Sequence, residues 1–220
     1  TQVHFTESLT MYRPVVPGDT LTIRGRVDQI EPHRAGTHVI IRFEAIDAGG
    51  QRVFVEHIGG LMRGVECRGG ARGADGPGES APISTAPAEG DVRESNIAIS
   101  ALVPFVYDGC SNIYFPIHTS KKFARQVGLP GLIVQGTATL AMAVSDIINT
   151  DADGDPGRIM TLQCRFTDMV MPGSNITLRV TAGTRTELQK ELFFTVLNEE
   201  GRAAIRNGFI RIAADKRRES

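Results

Sequence analysis

The chain has 220 residues, 41% of them hydrophobic and 22% charged, and its net charge is −1 at pH 7. This composition is typical of a soluble globular protein, and such a balanced charge predicts no nucleic-acid partner. The apolar runs are too short to cross a bilayer and no signal peptide opens the sequence, so no membrane partner is expected. Three cysteines without CxxC spacing indicate neither a disulfide framework nor a zinc site, and a cytoplasmic location is the default.

One segment has the composition of a linker. From Arg68 to Asp91 the sequence is rich in Gly, Ala, Pro and Ser, and Ile83 is its only large apolar residue. Such a segment buries too little surface to offset its ordering entropy. We therefore predict a flexible linker within residues 67–97. It separates an N-terminal unit, residues 1–66, from a C-terminal domain, residues 98–220.

The two units resemble each other in their strand pattern. A Pro-Gly turn followed by an alternating strand occurs at Val16–Arg24 and again at Met171–Arg179. A strand, tight turn and second strand follow at residues 43–62 and again at residues 192–212. The order and spacing of these matches indicate duplication of one β-rich unit.

The copies differ before the Pro-Gly turn. The second copy has helical patterns at Ser120–Val127 and Gly136–Asn149, whereas the first has only Thr1–Val16 there. We therefore predict that the first copy is incomplete and consists of strands only. Either its helix was lost, or the chain lacks its natural N-terminus, which the absence of an initial Met favours.

A motif around His118 carries a family resemblance. It comprises Pro-Ile-His-Thr-Ser at residues 116–120, Ala124 six residues after the His, Gly128, and Ile-Val-Gln-Gly leading into an Ala-rich helix. This string resembles the MaoC-like, (R)-specific enoyl-CoA hydratase/dehydratase family, closely from Tyr107 to Ile148 and in strand pattern beyond. The resemblance implies an α+β double hot-dog fold, an antiparallel sheet wrapped around a central helix, with the first copy incomplete.

The resemblance also implies a chemistry. The family adds water across a double bond conjugated to a thioester, so the expected substrate is an acyl-CoA or another acyl thioester. His118 matches the catalytic base and acid, and the backbone N–H of Gly136 matches the donor to the thioester oxygen. Gly136 alternatively serves helix–sheet packing alone. No metal or redox cofactor is expected, because coenzyme A arrives as part of the substrate.

The motif departs from the family at the partners of His118. Ile113 stands at the position of the family's catalytic Asp, and Phe115 at that of its Asn. Asp108 lies farther upstream and is the candidate replacement; the alternative is an exposed loop or capping carboxylate.

Four more residues are substrate-site candidates. Gln135 replaces the family's usual His before the helix-opening Gly. Its amide and that of Asn112 suit a water or carbonyl, although Asn is also a common turn residue. Tyr114 and Phe115 are expected to line an acyl pocket or the core.

The departures leave other functions open. The leading hypothesis is a hydratase/dehydratase acting on an acyl thioester. The alternatives are a catalytically degenerate acyl-CoA-binding or assembly subunit, and a hot-dog thioesterase, which rests on fold analogy alone. We also expect the halves to associate edge to edge through their sheets, within a chain or between chains, and we expect a homo- or hetero-oligomer.

Overall fold

A computed structural model describes residues 2–73 and 91–214 of the chain. The strands of the first half are β1 (Gln2–Met11), β2 (Leu21–His33), β3 (Gly36–Asp47), β4 (Arg52–Arg63) and β5 (Arg72–Gly73). Those of the second half are β6 (Val92–Ala98), β7 (Ile159–Phe166), β8 (Asn175–Arg185), β9 (Gln189–Leu197) and β10 (Ala203–Ala213). The helices are α1 (Val103–Ser111), α2 (Lys121–Gln126) and α3 (Gly136–Asp151), followed by a 3-10 turn at Pro156–Arg158.

The described strands form one antiparallel sheet in the order β5-β2-β3-β4-β1-β7-β10-β9-β8-β6. The strand order of the second half mirrors that of the first half. The two halves meet at the centre of the sheet, where β1 pairs with β7; we call this pairing the joint. At this joint Thr6 lies opposite Arg165, and Thr10 lies opposite Thr161. The predicted edge-to-edge association of the halves is therefore confirmed, and it occurs within one chain.

The predicted duplication is visible in matching elements. The hairpins β3–β4 and β9–β10 form at the expected places, and each Pro-Gly turn leads into the long strand β2 or β8. Gly18 and Gly173, the glycines of these turns, have φ of 94° and 84°. Residues with a side chain rarely adopt such a positive φ, which explains why both turns contain glycine.

Helix α3 forms the core of the second half. Its buried face packs onto β7–β10 and comprises Ala138, Thr139, Leu140, Ala143, Val144, Ile147 and Ile148. This arrangement is the predicted sheet wrapped around a central helix. No described helix lies within the first half, where Ile23 and Val27 on β2 are 52% and 58% exposed. Among the described residues, no helix has the length and apolar character needed to span a membrane.

The predicted linker boundary at residues 67–97 needs correction at its C-terminal end. Val92–Ala98 forms strand β6, which pairs with β8 along its whole length. Ile97 packs against the core, and Arg93 forms ion pairs with Asp146 and Asp151 of α3. These contacts make residues 92–97 part of the C-terminal domain. The central part of the predicted linker, residues 74–90, lies outside the described residues.

A close approach of two strands depends on Gly208. A Cβ at this position would lie 2.5 Å from the backbone oxygen of Phe194, which is too short for any side chain. We expect Gly208→Ala to lower the free energy of unfolding by about 1–3 kcal/mol, since β9 and β10 must separate. Urea denaturation measures this change. Gly109→Ala on α1 is the matched control, because nothing lies within 4 Å of its added Cβ; equal midpoints for the two variants would contradict the packing described here.

Candidate active site

His118 lies in the turn between α1 and α2. The backbone N–H of Ser120 donates to the Pro116 carbonyl at 2.8 Å, and the Ser120 hydroxyl accepts from the Phe123 N–H at the start of α2. Ile117 is buried beside them. These contacts hold the turn in place, and His118 itself is only 9% exposed.

A hydrogen bond fixes the proton of the His118 ring. Nδ1 lies 2.8 Å from the carbonyl oxygen of Ile133. Because a carbonyl only accepts, Nδ1 carries the proton, and in the neutral ring the lone pair is on Nε2. Burial lowers the pKa of His118 below its ordinary value, although the Ile133 hydrogen bond and the charge of Asp108 act in the opposite direction. A neutral ring with a free Nε2 is the form that a general base requires.

Asp108 is part of the same group of residues. It lies on α1, is 4% exposed, and faces inward together with Pro104 one helical turn earlier. The alternative of an exposed loop or capping carboxylate is therefore wrong. Asp108 accepts a hydrogen bond from the side-chain amide of Gln135, and its negative charge raises the pKa of His118.

Gln135 connects Asp108 to the start of α3. Its Nε2 donates to Asp108 Oδ1 and, at 2.9 Å, to the carbonyl oxygen of Pro104. Since both partners are acceptors, they fix the orientation of the amide. The other amide atom, Oε1, is buried and has no hydrogen-bond partner among the described residues. It is therefore available as an acceptor for a water or a substrate group.

Gly136 is the first residue of α3, where backbone N–H groups have no preceding helical carbonyl to bind. The helix dipole adds positive potential at the same place, so negative charge is stabilised there. A Cβ on Gly136 would lie 3.0 Å from Cδ1 of Phe166 on β7. The Phe166 ring restricts the space that a Cβ would need, so the structure supports the helix–sheet packing alternative for Gly136. Its role as a donor to the thioester oxygen stays a prediction.

The remaining predicted residues separate into two groups. Phe115 lies beside His118, with 6.2 Å between the ring centroids, and is 36% exposed. Asn112 ends α1 in the left-handed conformation, with φ of 56°, and is exposed. Tyr114 is 70% exposed and Ile113 is 51% exposed. The structure therefore gives neither Asn112 nor Tyr114 a buried place near His118. Tyr114 is not part of the core, and the acyl-pocket role of Tyr114 stays a prediction.

Two features of the site were absent from the sequence prediction. Helix α1, which turns Asp108 inward, was not predicted, although Pro104 near its first turn is a typical helix-start residue. Phe166, which packs on Gly136, comes from a strand thirty residues farther along the chain. No local pattern indicates such a contact. The described residues contain no group of three or more His, Cys, Asp or Glu side chains suited to a metal ion.

The continuous sheet around α3, with a buried histidine near the start of that helix, defines a hot-dog protein. Residues 92–203 match the family model of the MaoC like domain, which covers more than half of the chain. The chain therefore belongs to the MaoC-like family.

Solved structures show the same fold. The MaoC-like dehydratase from Phytophthora capsici superposes with a TM-score of 0.83 and 22% identity, over 97% of this chain and 72% of that one. A Mycobacterium tuberculosis protein with a double hot-dog fold superposes with a TM-score of 0.61 and 14% identity, over 96% of this chain and 74% of that one. The predicted double hot-dog fold is confirmed.

The curated relatives match only part of this chain, and the chain spans about half or less of the length of each relative. The fatty acid synthase subunit beta of Aspergillus oryzae is 42% identical over 77 residues, which cover 34% of this chain and 4% of that protein. The peroxisomal enoyl-CoA hydratase 2 of Arabidopsis thaliana is 36% identical over 66 residues, which cover 30% of this chain and 21% of that protein. A probable enoyl-CoA hydratase 2 of Dictyostelium discoideum is 25% identical over 73% of this chain and 52% of that protein.

Proposed function

We propose that the chain is a hydratase/dehydratase that interconverts a 2-enoyl thioester and its 3-hydroxyacyl form, with coenzyme A as the carrier. One arrangement supports this proposal: His118 is buried, its Nδ1 donates to the Ile133 carbonyl so that Nε2 carries the lone pair of the neutral ring, and burial lowers its pKa. The charge of Asp108, which accepts from Gln135, acts on the same ring. The hydratase relatives support the substrate class.

The proposed reaction uses these atoms in order. His118 Nε2 takes a proton from a water whose second O–H donates to Gln135 Oε1, an acceptor that no described residue contacts by a hydrogen bond. The water oxygen forms a bond to C3, and the electrons of the double bond move toward the thioester oxygen. The N–H of Gly136 stabilises that oxygen. His118 then returns the proton to C2, which completes the addition of water; dehydration is the reverse.

A second function is favoured by the exposed residues of the motif. Ile113 and Phe115 replace the family's Asp and Asn, and Ile113 faces solvent. An apolar side chain neither orients water nor takes a proton. The second candidate is therefore an acyl-CoA-binding subunit without turnover.

Product analysis distinguishes these functions. Hydration of a 2-enoyl-CoA removes the absorbance of the conjugated double bond, whereas a thioesterase releases a free thiol. A binding subunit does neither but binds acyl-CoA in calorimetry. We expect loss of absorbance without thiol release. A rate no faster than that in buffer alone, together with measurable binding, would establish the binding subunit instead.

Association with further copies or partner chains and a cytoplasmic location stay predictions.

The pKa of His118 predicts the pH dependence of the reaction. Because burial keeps this pKa below its ordinary value, the ring stays neutral to a lower pH than a solvent-exposed histidine does. We therefore expect the acidic limb of kcat/KM to lie below about pH 6.5, the value for an unperturbed histidine. A pH–rate profile with a stable substrate measures it. An acidic limb above that value would show that another group controls the rate.

A further inference from the structure

A second buried polar group lies in the first half, on β1 and β4. Glu7 is 8% exposed, and its Oε2 lies 3.1 Å from Nε2 of His4. Its Oε1 is buried and has no hydrogen-bond partner among the described residues. A buried carboxylate oxygen without a donor is costly, so the position indicates a group still to be bound.

Glu56 of β4 completes a carboxyl pair with Glu7, because it lies opposite Leu9, two residues from Glu7 on the same face of β1. Burial, followed by the charge of Glu7 and a hydrogen bond with it, raises the pKa of Glu56 to about 7. Near neutral pH the pair therefore holds a proton for a large part of the time. A protonated carboxyl donates and a carboxylate accepts, so the pair suits a ligand group that does both.

The pair lies on the same face of the sheet as α3. Glu7 is directly opposite Cys164 of β7, which is buried in the core beneath α3, and Leu9 packs against that core as well. The His4 ring contacts Phe166, with 4.7 Å between the ring centroids, and Phe166 packs on Gly136. A continuous series of contacts thus connects the pair to the start of α3.

The cross-strand neighbours of the pair on β3 and β4 are apolar. Across the sheet, Ile58 lies opposite Glu7, and Phe43 lies opposite Glu56. Residues directly opposite each other share a face, so both apolar side chains lie beside the pair. The face provides the kind of surface that an acyl chain prefers, with one polar spot that both donates and accepts.

We propose that Glu7 and Glu56 form a subsite that binds a hydroxyl group on the acyl chain of the substrate. The hydroxyl donates to Glu7 Oε1 and accepts from the Glu56 carboxyl, whose single proton turns from Glu7 to the hydroxyl when the substrate binds. The inference rests on the proposed function for the substrate class, since it takes the thioester to lie at Gly136.

Paired substrates test the subsite. We compare kcat/KM for 2-enoyl-CoA esters with and without a hydroxyl group, placed at successive positions along the chain. In wild type we expect a preference of roughly tenfold to a hundredfold for the hydroxyl at one position, the usual worth of a hydrogen bond to a charged group. In Glu56→Met this ratio is expected to fall to about 1, because the hydroxylated ester loses a hydrogen bond that the plain ester does not make.

Controls separate the subsite from folding and from the reaction itself. Glu94→Gln on β6, at the far edge of the sheet, is expected to keep the wild-type ratio, and thermal unfolding checks that each variant is folded. If plain esters are hydrated but no hydroxyl position is preferred, the subsite proposal is wrong while the proposed function stands. If no ester is hydrated, calorimetric binding of the same acyl-CoA pairs gives the ratio, and equal affinities then overturn the subsite.

Discussion

His118→Ala is expected to lower kcat/KM for hydration by roughly a hundredfold or more, the usual contribution of a positioned proton-transfer group. The variant removes the only side chain that we propose to exchange a proton with the substrate. The same substitution at His33, which lies on β2 in the first half, is the matched control and is expected to leave the rate unchanged.

The size of the loss decides the role of His118. Steady-state kinetics of both variants measures it, with thermal unfolding to confirm that each is folded. A His118→Ala enzyme that keeps more than about a tenth of the wild-type kcat/KM would contradict a general-base role, because the expected range begins well beyond that.

Asp108→Asn is expected to lower kcat/KM by roughly tenfold or more and to shift the acidic limb of the pH profile to lower pH. The substitution preserves the size of the side chain but removes the charge that raises the pKa of His118. A weaker base takes a proton from water less readily. In addition, an amide in place of the carboxylate disturbs the acceptor that Gln135 uses.

The pH shift distinguishes this effect from a structural one. Steady-state profiles give the limb, and NMR titration of the His118 ring gives its pKa directly. Asp153→Asn is the control, because Asp153 is 61% exposed and pairs with Arg158 near the C-terminal end of α3. A fall in rate with an unchanged His118 pKa would assign Asp108 to packing alone.

The sequence predicts those parts of the architecture that a local sequence pattern indicates. Helix α3 extends over the predicted Ala-rich stretch, and both Pro-Gly turns lead into the expected strands. The sequence predicts the joint between β1 and β7 only as an edge-to-edge association, because no local pattern shows which strands pair. The boundary at residue 98 was wrong because β6 depends on pairing with β8, a contact more than seventy residues away.

The candidate active site also divides into residues that a local motif indicates and contacts between residues far apart in the sequence. The motif located His118 and Gly136, since each lies at the end of a short recognisable pattern. It does not reveal that α1 turns Asp108 inward, because Asp108 lies away from the position of the family's Asp. The contact between Gln135 and Asp108 spans 27 residues and brings α1 to the start of α3. Such contacts depend on tertiary packing, which local sequence patterns do not show.

A structure of the chain with a bound 3-hydroxyacyl-CoA tests the central claim most directly. We expect the thioester oxygen at hydrogen-bond distance from the N–H of Gly136, and the 3-hydroxyl group at hydrogen-bond distance from both His118 Nε2 and Gln135 Oε1. An acyl-CoA bound with its thioester away from the start of α3, or with no polar atom near His118, would contradict the proposed active site.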